Sequence, residues 1–382
     1  MPIYFDHAAT TPVCPEAAQA AYEVLTGNFG NPSSGYEMGR RAAADIKSRR
    51  ADVAAALGCT PAELFFTSCG TEGDNWALRA AVRAMRRRGN HIITTSVEHS
   101  AVLNTARFLE EEGFRVTYLK PDKTGHITVE QFRAALEKDT IAVSMMLVNN
   151  ETGAIFPVAQ CVKAAKAHNK DILFHTDAVQ GFCHIPFTPK TLGVDLLAVS
   201  GHKIGAPKGI GALYIKKEVQ GKIKNLMFGG AQEDGRRPGT EPTAQIAAFA
   251  AACKVAKAHL SAYDCHVRQL KEYTLQRLQE TVPNLVVVSH GDAPHICAVS
   301  LPGYPSQMVM TDLDGRGICL SNGSACHKGK PSHVFAAMDL PTDVLKGVLR
   351  ISFSHTSTRE EADALAGALA QIAKERMTIM KG

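Results

Sequence analysis

The chain closes an apolar run, Asp195 to Val199, with Ser200, Gly201, His202 and Lys203. A lysine just past a buried strand, beside small polar residues able to hold an anion, is the arrangement a pyridoxal phosphate Schiff base needs. A second run, Ile172-Leu173-Phe174-His175-Thr176-Asp177, also ends in polar residues, with Gln180 soon after. An aspartate there can pair with a protonated pyridine nitrogen and keep the ring cationic. Alone, Asp177 would read as a helix cap and Lys203 as a surface lysine. At two strand ends, flanked by Gln180 and His202, they point to the cofactor.

Three further segments carry candidate chemistry. The run Phe65 to Asp74 passes from strand to helix through Gly70 and Thr71; free N–H groups at a helix N-terminus, with a hydroxyl beside them, suit a dianionic phosphate. Thr71 with Asp74 reads equally as a helix cap, and the two readings are compatible. His99 follows the run His91 to Thr95 and so falls at the same edge as Asp177 and Lys203, where imidazole can stack on a ring and move protons near neutral pH. Cys326 lies among small, polar and basic residues from Leu320 to Pro331, and His327, Lys328 and Lys330 beside it favour thiolate over thiol. His168, His184, His266 and His290 are expected to have packing or surface roles without partners.

The elements that position these residues follow from hydrophobic period. From about Pro15 to Lys216, helical stretches near 71–88, 99–112, 128–138 and 157–169 alternate with short apolar runs: 64–67, 91–95, 115–119, 141–148, 172–175, 196–199 and 211–215. This is the pattern of an α/β domain with a mostly parallel sheet between helices, in which ligands gather beyond the carboxyl ends of the strands. The Gly-rich segment Gly229 to Thr240 reads as a long loop kept for a purpose. An alanine-rich helix over about Thr243 to Glu280 leads to runs at 285–288, 297–301 and 348–353. The expected division is a large domain, 15–250, and a smaller α+β domain, 1–14 with 251–382, carrying a mobile cysteine loop at about 320–333.

Composition narrows the class. At 382 residues two domains are the better expectation. With 45% apolar and 21% charged residues, wholesale disorder is excluded. No apolar run approaches a membrane span and the N-terminus lacks a signal-like pattern, so the expectation is a cytoplasmic protein without membrane contact. The charge of +5 is small, and the basic run Arg83 to Arg88 ends a helix without aromatic context, which argues against direct nucleic-acid binding. Ten cysteines form no Cys-x-x-Cys pair, which argues against structural zinc and a disulfide framework; no metal is expected.

Taken together, the sequence resembles the cysteine desulfurases of the nitrogen-fixation and iron–sulfur-assembly type, in the class V aminotransferase group with the pyridoxal-phosphate fold-type I architecture. The likeness runs from Asp6-His7-Ala8-Ala9-Thr10-Thr11-Pro12 through Phe29 to Ser34, Asn149 to Gly153 and Gly239-Thr240, to Leu349-Arg350-Ile351-Ser352-Phe353. It implies Lys203 as the Schiff-base lysine, Asp177 at the pyridine nitrogen, Gln180 at the ring hydroxyl and His99 stacked on the ring. Gly70, Thr71, Ser200 and His202 would serve the phosphate, and Thr240 would reach the phosphate of a second subunit, implying a homodimer. Asn150 would serve cofactor and substrate. Asn31 and Arg350 would bind substrate, arginine being suited to bidentate carboxylate binding. Cys326 matches the sulfur-accepting cysteine. The implied reaction converts L-cysteine to L-alanine, leaving a persulfide for a protein acceptor such as an iron–sulfur scaffold or sulfur carrier. A selenocysteine lyase or aminotransferase would keep Lys203 and Asp177 without needing Cys326; a non-catalytic sulfur-carrier scaffold would need neither.

Overall fold

The computed structural model describes residues 2–323 and 332–381, with only the helical backbone of 376–381. Strands are β1 (Ile3–Tyr4), β2 (Leu64–Thr67), β3 (His91–Thr95), β4 (Arg115–Leu119), β5 (Thr140–Ser144), β6 (Leu173–Asp177), β7 (Leu196–Ser200), β8 (Gly211–Ile215), β9 (Val286–Ser289), β10 (Ile296–Ser300), β11 (Ile318–Cys319) and β12 (Val348–Ser352). Helices are α1 (Pro15–Gly27), α2 (Glu37–Leu57), α3 (Gly70–Met85), α4 (Ser100–Glu111), α5 (Val129–Ala134), α6 (Val158–His168), α7 (Pro189–Leu192), α8 (Thr243–Thr281), α9 (Ser306–Asp314), α10 (His333–Ala337), α11 (Thr342–Lys346) and α12 (Arg359–Lys381).

The main sheet has the order β2-β8-β7-β6-β5-β3-β4. Pairs from β7 to β4 are parallel, whereas β8 runs antiparallel to both β7 and β2. Strands β2 to β7 therefore all point the same way, and their carboxyl ends share one edge. Strands β2, β3 and β5 to β8 are buried along their whole length, as expected for a sheet covered on both faces. One face packs on α1, α2, α5, α6 and the first half of α8, through Leu57, Phe132, Val162 and Phe249. The other packs on α3 and α4 through Trp76, Val82 and Leu109.

The run expected over 141–148 ends as a strand at Ser144, although Met145 N and Leu147 N still donate to His175 O and Asp177 O of β6. The run at 172–175 instead extends to Asp177.

A second core joins the later half of α8 to β10, β12 and α12 through Leu270, Leu278, Val299, Ile351 and Leu369, with Phe5 from the N-terminus. Its sheet, β12-β10-β9, is antiparallel. Strand β1 pairs in parallel with β11, so the N-terminus is tied to this region. At 39 residues α8 spans roughly 58 Å at 1.5 Å per residue and enters both cores. No helix among the described residues is long and apolar enough to cross a membrane.

Candidate active site

The common strand edge opens into a cavity of about 320 Å³. Gly70 and Thr71 open α3 after β2, His99 comes from the turn after β3 and Asn150 from the turn after β5, Asp177 ends β6 with Gln180 just beyond, and Ser200 ends β7 with His202 and Lys203 in the 3-10 turn that follows. Arg350, on β12 of the second sheet, closes the opposite wall. Ten of the residues singled out in the sequence thus meet in one place, because strands of one direction deliver their following turns to one edge.

Lys203 Nζ donates to the carbonyls of Ala8 and Ala9 at 2.6 and 2.7 Å. Burial pushes its amine down to about 8, helped by Arg350 and opposed by Asp6 and Asp177. A substantial fraction is therefore uncharged near neutral pH, as a nucleophilic amine requires. Asp177 accepts from Val179 N at 2.9 Å. Burial raises its pKa, while the positive charges of His99 and Lys203 and the bond from Val179 act the other way. A buried carboxylate in this setting is completed by a cation placed against it.

His99 sits at the N-cap of α4, and its Nδ1 accepts the Ala101 N–H at 3.2 Å. That bond puts the proton of the neutral ring on Nε2. Burial lowers its pKa, with Lys203 and His333 adding to the effect and Asp177 opposing it. Beneath this group lies Asp74, fully buried, with its carboxyl raised well above the usual range by burial, then by Asp177 and Glu98. Burial lifts Glu98 as well, to about 8, so this carboxyl cluster resists full ionisation. The sequence reading of Asp74 as a helix cap is corrected: the N-cap of α3 is Cys69, which makes no side-chain capping bond.

That absence leaves the first-turn N–H groups of α3 without a side-chain acceptor at the cavity wall. Ser200 Oγ is buried and has no hydrogen-bond partner among the described residues. Gly70 is required, since a Cβ there would meet Val179 Cγ2 at 2.7 Å. His202 Nδ1 lies 3.2 Å from Thr10 Oγ1, and burial lowers its pKa to about 4, leaving it neutral. Open amides, a hydroxyl and neutral imidazole form a cradle for a phosphate.

At the far wall, Arg350 Nη2 meets Asp6 Oδ1 at 2.7 Å and its Nη1 donates to Asn150 O at 2.8 Å. The guanidinium is 3% exposed and its Nε has no partner among the described residues. A cation so held keeps N–H donors for a small carboxylate.

Two expected site residues fall elsewhere. Asn31 is exposed, and its Oδ1 accepts from Ser33 N at 2.9 Å; the side chain is used in an Asx turn and does not enter the cavity. Thr240 is exposed and lines a separate cavity of about 210 Å³ with Arg237 and Ser68. The loop carrying it is anchored by Glu233, whose carboxylate takes Arg50 at 2.5 and 2.7 Å and Phe66 N at 2.9 Å. Cys326, with His327, Lys328 and Lys330, lies outside the described residues. Ser321 and Gly323 line the cavity, and a Cβ on Gly323, at φ +111°, would approach Glu151 Oε2 to 2.4 Å and Ser332 Cβ to 3.3 Å. The chain therefore leaves 323 and re-enters at 332 beside the pocket.

Other functional contacts escaped the sequence. Asp6 and the carbonyls of Ala8 and Ala9 hold Arg350 and Lys203; the only signal was an acid followed by small residues. His168, His184 and His266 were expected to lack partners, yet their Nε2 atoms bond to Glu137 O, Lys203 O and Ser357 O at 3.0, 3.1 and 3.0 Å. Backbone acceptors remote in sequence leave no mark on composition. Behind Lys203 lies a second cavity of about 330 Å³, whose lining includes His7, His184, His295, His355 and Tyr263.

A lysine amine, a carboxylate, an imidazole and an anion cradle around one cavity fit pyridoxal phosphate, the buried unpartnered Ser200 hydroxyl and the Gly70 approach being the structural marks of fit. Residues 3–365 match the aminotransferase class-V family. The chain is 40% identical to "Cysteine desulfurase IscS" of Clostridium botulinum (strain Kyoto / Type A2) over 98% of its length and 95% of that protein. It is also 40% identical to the protein of the same name from Methanosarcina thermophila, over 98% and 92%. A solved "NIFS-LIKE PROTEIN" superposes with a TM-score of 0.92 at 34% identity, covering 98% of this chain and all of that one. The chain belongs to the class-V aminotransferases, a pyridoxal-phosphate-dependent family, and within it to the cysteine desulfurases of the IscS and NifS type.

Proposed function

We propose that the protein converts L-cysteine to L-alanine with transient storage of the sulfur as a persulfide on Cys326. The observation that carries this reading is the convergence of Lys203, Asp177, His99 and Arg350 on one cavity bordered by Gly323, three residues before Cys326. Pyridoxal phosphate, when bound, supplies an electron sink for charge developing on the substrate. Asp177 would place a charge opposite the ring nitrogen, Gln180 would serve the ring hydroxyl, and Gly70, Thr71, Ser200 and His202 would hold the phosphate. Arg350 and Asn150 orient the substrate carboxylate. Lys203 Nζ, near its midpoint at about 8, takes and returns protons at substrate carbon, with Nε2 of His99 as the second proton site.

Cys326 then attacks the substrate sulfur. As the new S–S bond forms, the substrate Cβ–S bond breaks, its electron pair stays with the carbon fragment, and protonation yields alanine. One cysteine gives one alanine and one persulfide. Three residues span at most about 11 Å, so Cys326 is tethered within that distance of Gly323. A thiol that must visit this pocket and then an acceptor needs such a tether.

Exposed Thr240, outside its own chain's cavity, is placed as reach to a second copy requires, which supports a homodimer with shared sites. We further propose a protein sulfur acceptor, action in the cytoplasm, and a working division into residues 15–250 and the remainder, bridged by α8. The test is incubation of purified protein with cysteine while following alanine, sulfide and the mass of the Cys326 peptide. A sulfur adduct on that peptide with stoichiometric alanine supports the reading; alanine formation unaffected by Cys326→Ser refutes it.

A further inference from the structure

Behind the reactive lysine, four hydrogen bonds and one ring stack link the N-terminal segment, the segments after β6 and β7, and His295 just before β10. Gln180 Nε2 donates to Ala8 O at 2.9 Å, and Ala8 O also receives Lys203 Nζ at 2.6 Å. His295 Nε2 lies 3.4 Å from Gln180 Oε1, and His184 Nε2 lies 3.1 Å from Lys203 O. The rings of His184 and His295 stack with centroids 4.0 Å apart and planes 14° from parallel. The hydrogens on these groups are dictated by the partners. A backbone carbonyl only accepts, so His184 carries its proton on Nε2. Ala8 O likewise takes the amide nitrogen of Gln180, which turns Oε1 toward His295 and fixes the proton of His295 on Nε2 as well.

We infer that His184 and His295 are a neutral, stacked positioning pair that holds the backbone of Lys203 and braces the Gln180 amide, whose orientation Ala8 O sets. The inference deepens the desulfurase reading and rests on it for the roles of Lys203 and Gln180.

The pair must stay uncharged to work. Two stacked imidazolium rings would repel each other at 4.0 Å, and cations face them as well, Lys203 on the His184 side and Lys271 and Arg350 on the His295 side, with the imidazoles of His355 and His7 alongside. Burial, reinforced by these neighbours, takes His184 down to about 4 and His295 well below its usual value, although the bond to Lys203 O favours the charged form of His184. Across the range in which Lys203 titrates, the support behind it does not change charge.

The consequence falls on the electrophile's partner and not on global packing. If His295 Nε2–H is lost, Gln180 Oε1 is left buried without its donor and the amide that serves the ring hydroxyl is held from one end only, by Ala8 O. If His184 Nε2–H is lost, the Lys203 carbonyl is left buried without its donor, and the short turn carrying the amine is less defined.

The test uses coenzyme-loaded protein. His295→Phe and His184→Phe keep a ring and its stacking area but remove the N–H; His295→Gln restores a donor. We expect each Phe variant to move the pH midpoint of the coenzyme's visible band by about one unit and to lower the rate of alanine formation at saturating cysteine about tenfold, with His295→Gln returning both to within threefold of wild type. Wild-type midpoint and rate in both folded Phe variants would overturn the inference, as would His295→Gln behaving no better than His295→Phe. If the Phe variants do not fold, nitrogen-15 NMR of histidine in the wild-type protein decides: both rings as neutral Nε2–H tautomers from pH 6 to 9 support the pair, and a charged ring or an Nδ1–H tautomer in either refutes it. A wild-type protein that neither colours with coenzyme nor makes alanine would sink the desulfurase reading instead, while the tautomers would still judge the pair.

Discussion

Two cavities of nearly equal size, about 320 and 330 Å³, lie on either side of Lys203, and only one has the electrostatics of a reaction site. The front cavity holds carboxyl groups at Asp6, Asp74 and Asp177, a guanidinium at Arg350 and an anion cradle at the start of α3. The rear cavity is faced by imidazoles that burial keeps uncharged, together with Tyr263, Val255, Leu260 and Phe353, and its carboxylates are those of the exposed Glu16 and of Asp264, which is paired with Arg268. Volume therefore does not locate chemistry here; unbalanced charge and open hydrogen-bonding groups do. Lys203 belongs to both walls, with its amine on the charged side and its backbone carbonyl held from the neutral side.

The sharpest break of that contrast is loss of the shared lysine. Lys203→Ala should abolish covalent capture of pyridoxal phosphate and lower alanine formation by about 10³-fold or more, measured as product per enzyme. Next comes Cys326→Ser, which should remove the persulfide and reduce turnover by about 10²-fold while the protein stays yellow; an aminotransferase would be unaffected. On the far wall, Arg350→Lys keeps the charge but loses the fork, and KM for cysteine should rise roughly tenfold to a hundredfold with a smaller change in kcat.

A milder probe is pH. The folded pKa of Lys203 lies below its ordinary value, so the uncharged amine gains population as pH rises toward about 8, whereas an ordinary lysine would require about 10.4. The rate at which coenzyme-free protein captures pyridoxal phosphate should rise with pH through a midpoint near 8 and then level off. The smallest effect belongs to the rear cavity away from the histidines: Leu260→Ala should leave kcat/KM within about twofold and lower the unfolding free energy by about 1 kcal/mol, read by thermal and urea unfolding.

What could be read in the chain follows the same division. Lys203, Asp177 and His99 were legible because each ends a short apolar run, and parallel strands send such ends to one edge. The largest shifts of strand ends, at Ser144 and Asp177, lie at that edge, where the chain passes from the sheet into the cavity wall. Contacts between distant segments left no local trace: Asp6 pairs with Arg350 across 344 positions and Gln180 faces His295 across 115. Asp74 resembled a cap because acids favour first turns, yet its position places it against the sheet, where it is buried. Asn31 matched a motif, and its Oδ1 accepts from Ser33 N in its own turn.

The central claim is that Lys203 is the residue that holds the coenzyme. Borohydride reduction of the pyridoxal-phosphate-loaded protein, followed by digestion and peptide mass measurement, tests it directly. The account predicts one coenzyme per chain, on the peptide containing Lys203; attachment to any other lysine, or none at all, would contradict it.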